Sequence, residues 1–421
     1  MRQSLPMLDF LKRNARWIGG GFVLTLFSSF GQTFFISASA NEWQASLGLS
    51  TGGFGQLYMV ATLASAVSLP FVGRLVDIWP IPRVIALTIP TLALATLLAA
   101  GAPSVAALAI ALYLLRLFGQ GMMTHIALTT IGRFYAAQRG RAISLVVLGH
   151  QTGEALLPLT FTAFALSFGW QSGWIAGAVS LMLFALPVGV WAFSTKRQPK
   201  GQADVMQGGP SWTRQEVMAD PLFWALLIGV LAPPLVGTTL FFHQDTLTTL
   251  REWPPALFAS SFTVMALTTV VFALISGALI DRFGACRILP YFLAPLGCSC
   301  VIAGVMSAPW SLYLFMMLLG VSYGFSSTLF GSLWPEIYGT AHLGAIRSAL
   351  VPFMVVATAI GPGLTGTLID FGIGLPAQLI ALGGYCGIGL ITLTFASRAL
   401  TQRAARLAAA GAAHPAPPPI G

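Results

Sequence analysis

Charge is what this 421-residue chain has least of: Asp, Glu, Lys and Arg together make 8% of it, against roughly 25% in an ordinary soluble domain. At 56% hydrophobic and a mean hydropathy of +0.81, it has too little polar surface to cover itself in water. That excludes a soluble fold. Its natural solvent is lipid, where every backbone group must be paired inside helices or a closed barrel. Alternation over about ten residues, the mark of a barrel strand, is missing; the apolar runs are far longer, so helices are expected. Cysteine is scarce too. Cys286, Cys298, Cys300 and Cys386 lie in or beside apolar runs without metal-ligand spacing, and are expected to be buried thiols with neither disulfide nor metal. A phosphate-binding Gly loop with a following Lys, a Ser-His-Asp spacing and a soluble stretch long enough for a catalytic domain are all lacking, so neither enzyme activity nor a cofactor is expected.

A membrane span needs about 20 apolar residues. Breaks rich in Gly, Pro or charge divide the chain into twelve such runs: 17–40, 53–78, 83–101, 104–134, 141–168, 173–194, 221–249, 255–280, 286–307, 309–338, 343–370 and 375–397. Three uncharged stretches are split on turn signals alone, at Gly101-Ala102-Pro103, at Gly169-Trp170-Gln171-Ser172-Gly173 and at Ser307-Ala308-Pro309. Arg2, Lys12, Arg13 and Arg16 precede a first run too long for a signal-peptide core, so it is expected to remain as a span.

Lysine and arginine test this division, because they collect in cytoplasmic connections. With the N-terminus inside, nineteen of the 21 fall on inner segments, Arg251 lies on an outer connection and Arg116 falls within the fourth run. The net charge of +9 therefore reflects membrane topology, and nucleic-acid binding is not needed to explain it. The expected layout is a cytoplasmic segment at 1–16, a six-helix half at 17–194, a cytoplasmic linker at 195–220, a second half at 221–397 and a disordered cytoplasmic tail at 398–421. That is an all-α, multi-pass protein of a bacterial inner or plasma membrane, expected to work as a monomer with both termini inside.

The halves repeat each other. Gly73, Asp77 and Arg83, in a charged, Pro-broken turn, recur as Gly277, Asp281 and Arg287 with the same spacing, and Gly140, Ser144 and Pro158 recur as Gly344, Ser348 and Pro362. A Gly-x-Leu-x-Asp turn with a following Arg, between the second and third spans of each half of a twelve-span chain, resembles the major facilitator superfamily. The resemblance covers nearly the whole chain and implies two pseudo-symmetric six-helix halves that rock about a midplane site. It implies that the repeated turns are latches at the cytoplasmic face. There the family's Asp meets the end of a helix in the opposite half, and the turn's basic residues, in one gating state. Asp77 and Arg83 carry this over in the first half, and Asp281 and Arg287 in the second. The basic-x-Gly step after the Asp is kept in Arg282-Phe283-Gly284, whereas Ile78-Trp79-Pro80 replaces it in the first turn. The plainer reading of both turns is positive-inside anchoring. More narrowly, the loop Arg133–Ala142, leading into a helix with Gly149 and Gly153, resembles the monocarboxylate transporter and oxalate:formate antiporter branches. This favours an organic anion over a cationic drug.

Ionisable side chains inside a span are expensive, so each is a candidate site residue. At about 1.5 Å per residue, Arg116 lies about 18 Å from the outer start of span four, and Glu154 and His150 lie roughly 20 and 14 Å from the inner start of span five. The planar fork of Arg116 suits a carboxylate; the alternative is a permanent Arg116–Glu154 ion pair joining two helices. Gln32, Gln120 and His243 are further candidates for solute contact. Glu154 and His150, four apart on one helical face, are candidates for proton coupling, while Gly149 and Gly153 beside them suit close helix packing. Phe241-Phe242-His243-Gln244-Asp245 reads as an outer gate or as an interfacial belt, the belt fitting slightly better. His125, nine residues beyond Arg116, is expected to project to the opposite side of an α-helix and to be a packed, hydrogen-bonded histidine. Glu336 and Arg347 are assigned to the cytoplasmic gate. The function expected from these features is secondary transport of a small organic solute, a carboxylate, with proton coupling. An exporter of drugs or metabolites and a transport-incompetent sensor are the alternatives.

Overall fold

The computed structural model describes residues 7–135, 138–195, 212–339 and 342–413. Among them the only regular elements are helices. The long ones are α1 (Lys12–Gly31, continuing as Thr33–Leu47), α2 (Thr51–Ile78), α3 (Ile81–Ala100), α4 (Val105–Phe134), α5 (Arg139–Phe168), α6 (Trp170–Phe193), α7 (Pro221–Phe242), α8 (Pro255–Phe283), α9 (Ala285–Val305), α10 (Pro309–Tyr338), α11 (Leu343–Asp370) and α12 (Leu375–Ala413). Among the described residues, ten helices are long and apolar enough to cross a membrane, and the bent α1 makes eleven. The 30-residue α5 falls outside that set, its apolar surface interrupted by His150, Gln151 and Glu154. With it the count is the expected twelve.

All three turn-based cuts fall between helices. Gly169, at φ 84°, ends α5 in a conformation that glycine adopts freely, and Pro309 opens α10 where its missing N–H needs no partner. Ser104 caps α4 by accepting from the Ala107 N–H, and Asp220 caps α7 through the Leu222 N–H.

Three segments differ from expectation. α1 bends by 47° at Gln32, whose backbone is extended (φ −84°, ψ 153°), and its second arm runs to Leu47. α7 stops at Phe242, His243 breaks the helix, and Gln244–Leu250 forms a short helix of its own. The stretch after 397, expected to be disordered, continues α12 as helix to Ala413; its alanines, the strongest helix formers, outweigh its lack of an apolar face. Residues 196–211 of the expected linker and 414–421 of the tail lie outside the described residues.

The two halves meet where α2 packs on α11, α5 on α8 and α1 on α7. The face carrying Arg16, Arg133, Arg282 and Arg403 is called the basic face below. Cys300 and Cys386 are buried and Cys286 half-buried, but Cys298 is exposed on the outside of α9, which corrects the expectation that all four thiols are buried. A membrane-facing thiol is apolar enough to sit against lipid.

Candidate functional site

Arg116 stands at the centre of the molecule and is 2% exposed. Its Nη1 donates to the Gly31 carbonyl across 3.1 Å, at the point where α1 bends, and its guanidinium lies 5.3 Å from the centre of the Tyr58 ring. Its Nε is buried without a protein partner. The contact to Gly31 requires two backbones to touch. A Cβ on Gly31 would lie 2.2 Å from the Leu115 carbonyl oxygen, and one on Gly119 would lie 2.6 Å from the Gly31 Cα. The Arg116–Glu154 ion pair considered above does not form: the ion pairs among the described residues are Asp77–Arg133 and Asp220–Arg403.

Below Arg116, toward the basic face, a cavity of about 660 Å³ separates the halves. Thr62, Ser65 and Leu69 of α2 and Arg116, Gln120, Thr124, His125 and Leu128 of α4 line one side. Pro234 of α7 and Val351, Met354 and Thr358 of α11 line the other. Arg116 and His125 thus share one cavity, against the expectation that they point apart. The reason is local: Leu115–Met123 is π-helical, and its wider turns advance each residue by a smaller angle than an α-helix does. His125 is nevertheless hydrogen-bonded, its Nδ1 standing 3.4 Å from the Thr129 hydroxyl.

Of the expected solute contacts, Arg116 and Gln120 line this cavity; Gln32 and His243 do not. Gln32 is the bend residue of α1. His243 is 2% exposed, with Nε2 3.3 Å from the Pro362 carbonyl. Tyr58, Thr62 and Ser65 were missed. Their four- and three-residue spacing marks a polar stripe on one face of α2, a signal present in the sequence.

Above Arg116, toward the opposite face, the halves are sealed. The ring of Phe242 lies 5.1 Å from Phe54 and 4.7 Å from Tyr58. Gln244 donates to the Phe34 carbonyl at 3.0 Å and to Ser37 at 2.9 Å. Phe241, Phe242, His243 and Gln244 are all buried, so the segment is part of this seal and not an interfacial belt. Tyr58 joins seal to cavity. Its hydroxyl bonds Thr33 across 2.7 Å, while its ring meets Arg116 on one side and Phe242 on the other.

Glu154 is 4% exposed and lies outside the cavity wall, within electrostatic reach of Tyr323 on α10. The half-buried His150 sets its ring 6.4 Å from Phe34. Gly149 and Gly153 let α5 press on α1: a Cβ on Gly149 would lie 2.1 Å from the Phe22 carbonyl oxygen.

In the first repeated turn, Asp77 pairs with Arg133 of its own half, Gly73 is buried and Arg83 is exposed. In the second, Asp281 and Arg287 are exposed, Arg282 lies over the Phe283 ring at 5.1 Å, and Gly277 has room to spare. Glu336 accepts from the Ala285 and Cys286 N–H groups at 2.7 and 3.2 Å, capping α9 within its half. The Arg347 side chain lies outside the described residues. Three or more His, Cys, Asp or Glu side chains that could hold a metal do not come together among the described residues.

Among curated proteins no sequence matches this chain. Among solved structures, a bacterial homologue of the human lysosomal transporter Spinster, inward-facing and unoccupied, is 16% identical with a TM-score of 0.68, covering 95% of this chain and 98% of that one. Its inward-facing, occupied form has a TM-score of 0.65 at 16% identity, covering 96% of this chain and 98% of that one. A mutant of the nucleoside transporter NupG has a TM-score of 0.69 at 13% identity, covering 90% of this chain and 99% of that one. At these identities the likeness is one of fold. The family model described as Major Facilitator Superfamily matches residues 21–362, and the chain belongs to that family.

Proposed function

We propose that the chain is a proton-coupled secondary transporter that carries a small organic carboxylate across the cytoplasmic membrane by alternating access, both termini lying in the cytoplasm. The observation that carries this reading is the position of Arg116. A permanently charged fork sits at the blind end of a cavity between two halves, bonded to one backbone carbonyl and to no acidic side chain. A carboxylate is the solute such a group receives in two parallel hydrogen bonds, with Gln120, Thr62 and Ser65 supplying neutral polar contacts. Binding there bears on Tyr58, and through it on the Phe242 seal, so occupancy and gating share one side chain. Glu154 carries the proton that offsets the anion's charge, because an isolated carboxyl inside a span is costly unless it neutralises. The repeated turns at Asp77 and Asp281 serve as the cytoplasmic latches.

A second reading, proton-antiport export of a drug or metabolite, draws on the apolar wall of Leu69, Leu117, Leu128, Val351 and Met354, since fold does not fix solute or direction. One experiment separates the two. Purified protein in liposomes is offered radiolabelled mono- and dicarboxylates under an imposed pH gradient. Accumulation on the alkaline side supports symport, whereas accumulation on the acidic side supports antiport. Absence of movement in every arm, with folded protein present, removes transport of carboxylates.

A further inference from the structure

The carboxylate at the end of α11 does what the resemblance assigned to Asp77: it crosses to a helix end in the opposite half. Asp370 Oδ2 accepts from the Gly52 N–H at 3.0 Å and from the Ser50 hydroxyl at 2.7 Å. Ser50 is the N-cap of α2 and itself accepts from the Gly53 N–H at 3.0 Å. The negative group therefore sits on the positive end of a long helix, taking one of its free first-turn N–H groups and the hydroxyl of its N-cap. The fit depends on residue 52 lacking a side chain, since a Cβ there would lie 2.4 Å from Asp370 Oδ2 and 3.0 Å from the Thr367 Cα. One turn further in, Gln56 donates to Thr367 at 3.1 Å. On the basic face the corresponding carboxylate at the end of α2, Asp77, bonds Arg133 of its own half. Of these two carboxylates, only Asp370 joins the halves, and it does so on the sealed side.

We propose that Asp370 and the first turn of α2 form an outer latch, the inverted counterpart of the cytoplasmic turns, which holds the seal shut while the cavity stands on the basic-face side. This rests on the alternating-access reading above. When the outer side opens, α2 and α11 part, and the exposed Asp370 releases the Gly52 N–H and the Ser50 hydroxyl.

The test measures the distance between halves, independently of transport. Spin labels are placed at Ser46→Cys and Ala256→Cys, both exposed on the opposite face, in the full chain with Cys286, Cys298, Cys300 and Cys386 replaced by alanine, and the protein is studied in nanodiscs. The latch requires Asp370→Ala to raise the ratio of long to short distances about fivefold, the loss of charge-assisted bonds at a helix end. Asp370→Asn should do so to a lesser degree. Gly52→Ala should act in the same direction while keeping the charge, which guards against a folding defect in any one variant. Two distance populations whose ratio none of these changes alters would overturn the latch and leave alternating access intact. A single population in every variant would overturn both.

Discussion

Arg116 is bonded to the carbonyl of Gly31 and not to the carboxylate of Glu154. A buried arginine within a span is thus attached to a backbone bend, and the buried acid is left for other work. Arg116→Lys keeps the charge but loses the planar fork. It is expected to weaken carboxylate binding or uptake about tenfold with little loss of folded protein. Binding isotherms and gel-filtration profiles of the variant check both halves of that statement.

Glu154→Gln is isosteric and cannot release a proton. Accumulation driven by a pH gradient should disappear, while exchange of labelled for unlabelled solute across the same liposomes should persist. Undiminished accumulation would free Glu154 from any proton role.

Gly119→Ala places a methyl 2.6 Å from the Gly31 Cα and 2.7 Å from its nitrogen, and the backbone of Gly31 cannot yield as a side chain would. Overpacking of this kind costs about 1–3 kcal/mol, so the thermal midpoint in detergent should fall measurably. An unchanged midpoint would mean that the α1 bend and the π-helical segment separate easily.

Asp245, in the short helix beyond α7, borders an opposite-face hollow of about 360 Å³ with Asn41 and Glu42. Burial, with the nearby Glu42 adding to it, pushes its carboxyl from 3.8 up to about 7. Between those values the folded protein keeps a proton that the unfolded chain has released, so this group makes stability rise as pH falls through the window. Above about 7 the penalty of the buried charge is fully present. Thermal midpoints measured from pH 5 to 8 should decline with rising pH, and Asp245→Asn should flatten the decline.

Hydropathy, turn residues and the placement of Lys and Arg were enough to read the twelve helices, because each is a property of composition along the chain, and the repeat of Gly73, Asp77 and Arg83 as Gly277, Asp281 and Arg287 marked the two halves. Site geometry was legible only in part. Arg116 and Gln120 stood out, one as a charge and the other as a polar group in an apolar run. Tyr58, Thr62 and Ser65 did not, since neutral hydroxyls barely lower hydropathy and only their helical spacing marks them. The shared cavity of Arg116 and His125 was hidden for a different reason: projecting side chains by α-helical period fails once Leu115–Met123 widens into a π-helix. The bend at Gln32 and the break at His243 depend on partners in distant helices, namely Gly119 for the first and Pro362 for the second. The Asp370 bridge to Gly52 joins residues 318 apart, and no local pattern announces such a contact.

Solute binding at Arg116 is the central claim, and ligand-induced stabilisation tests it most directly, because a molecule that binds the folded state raises its apparent stability. Wild-type protein and Arg116→Lys are heated with a panel of mono- and dicarboxylates over a concentration series. The account requires at least one carboxylate to raise the wild-type midpoint saturably and to lose that effect in Arg116→Lys. A panel that leaves the wild type unmoved, or a shift of equal size and concentration dependence in the variant, would contradict it.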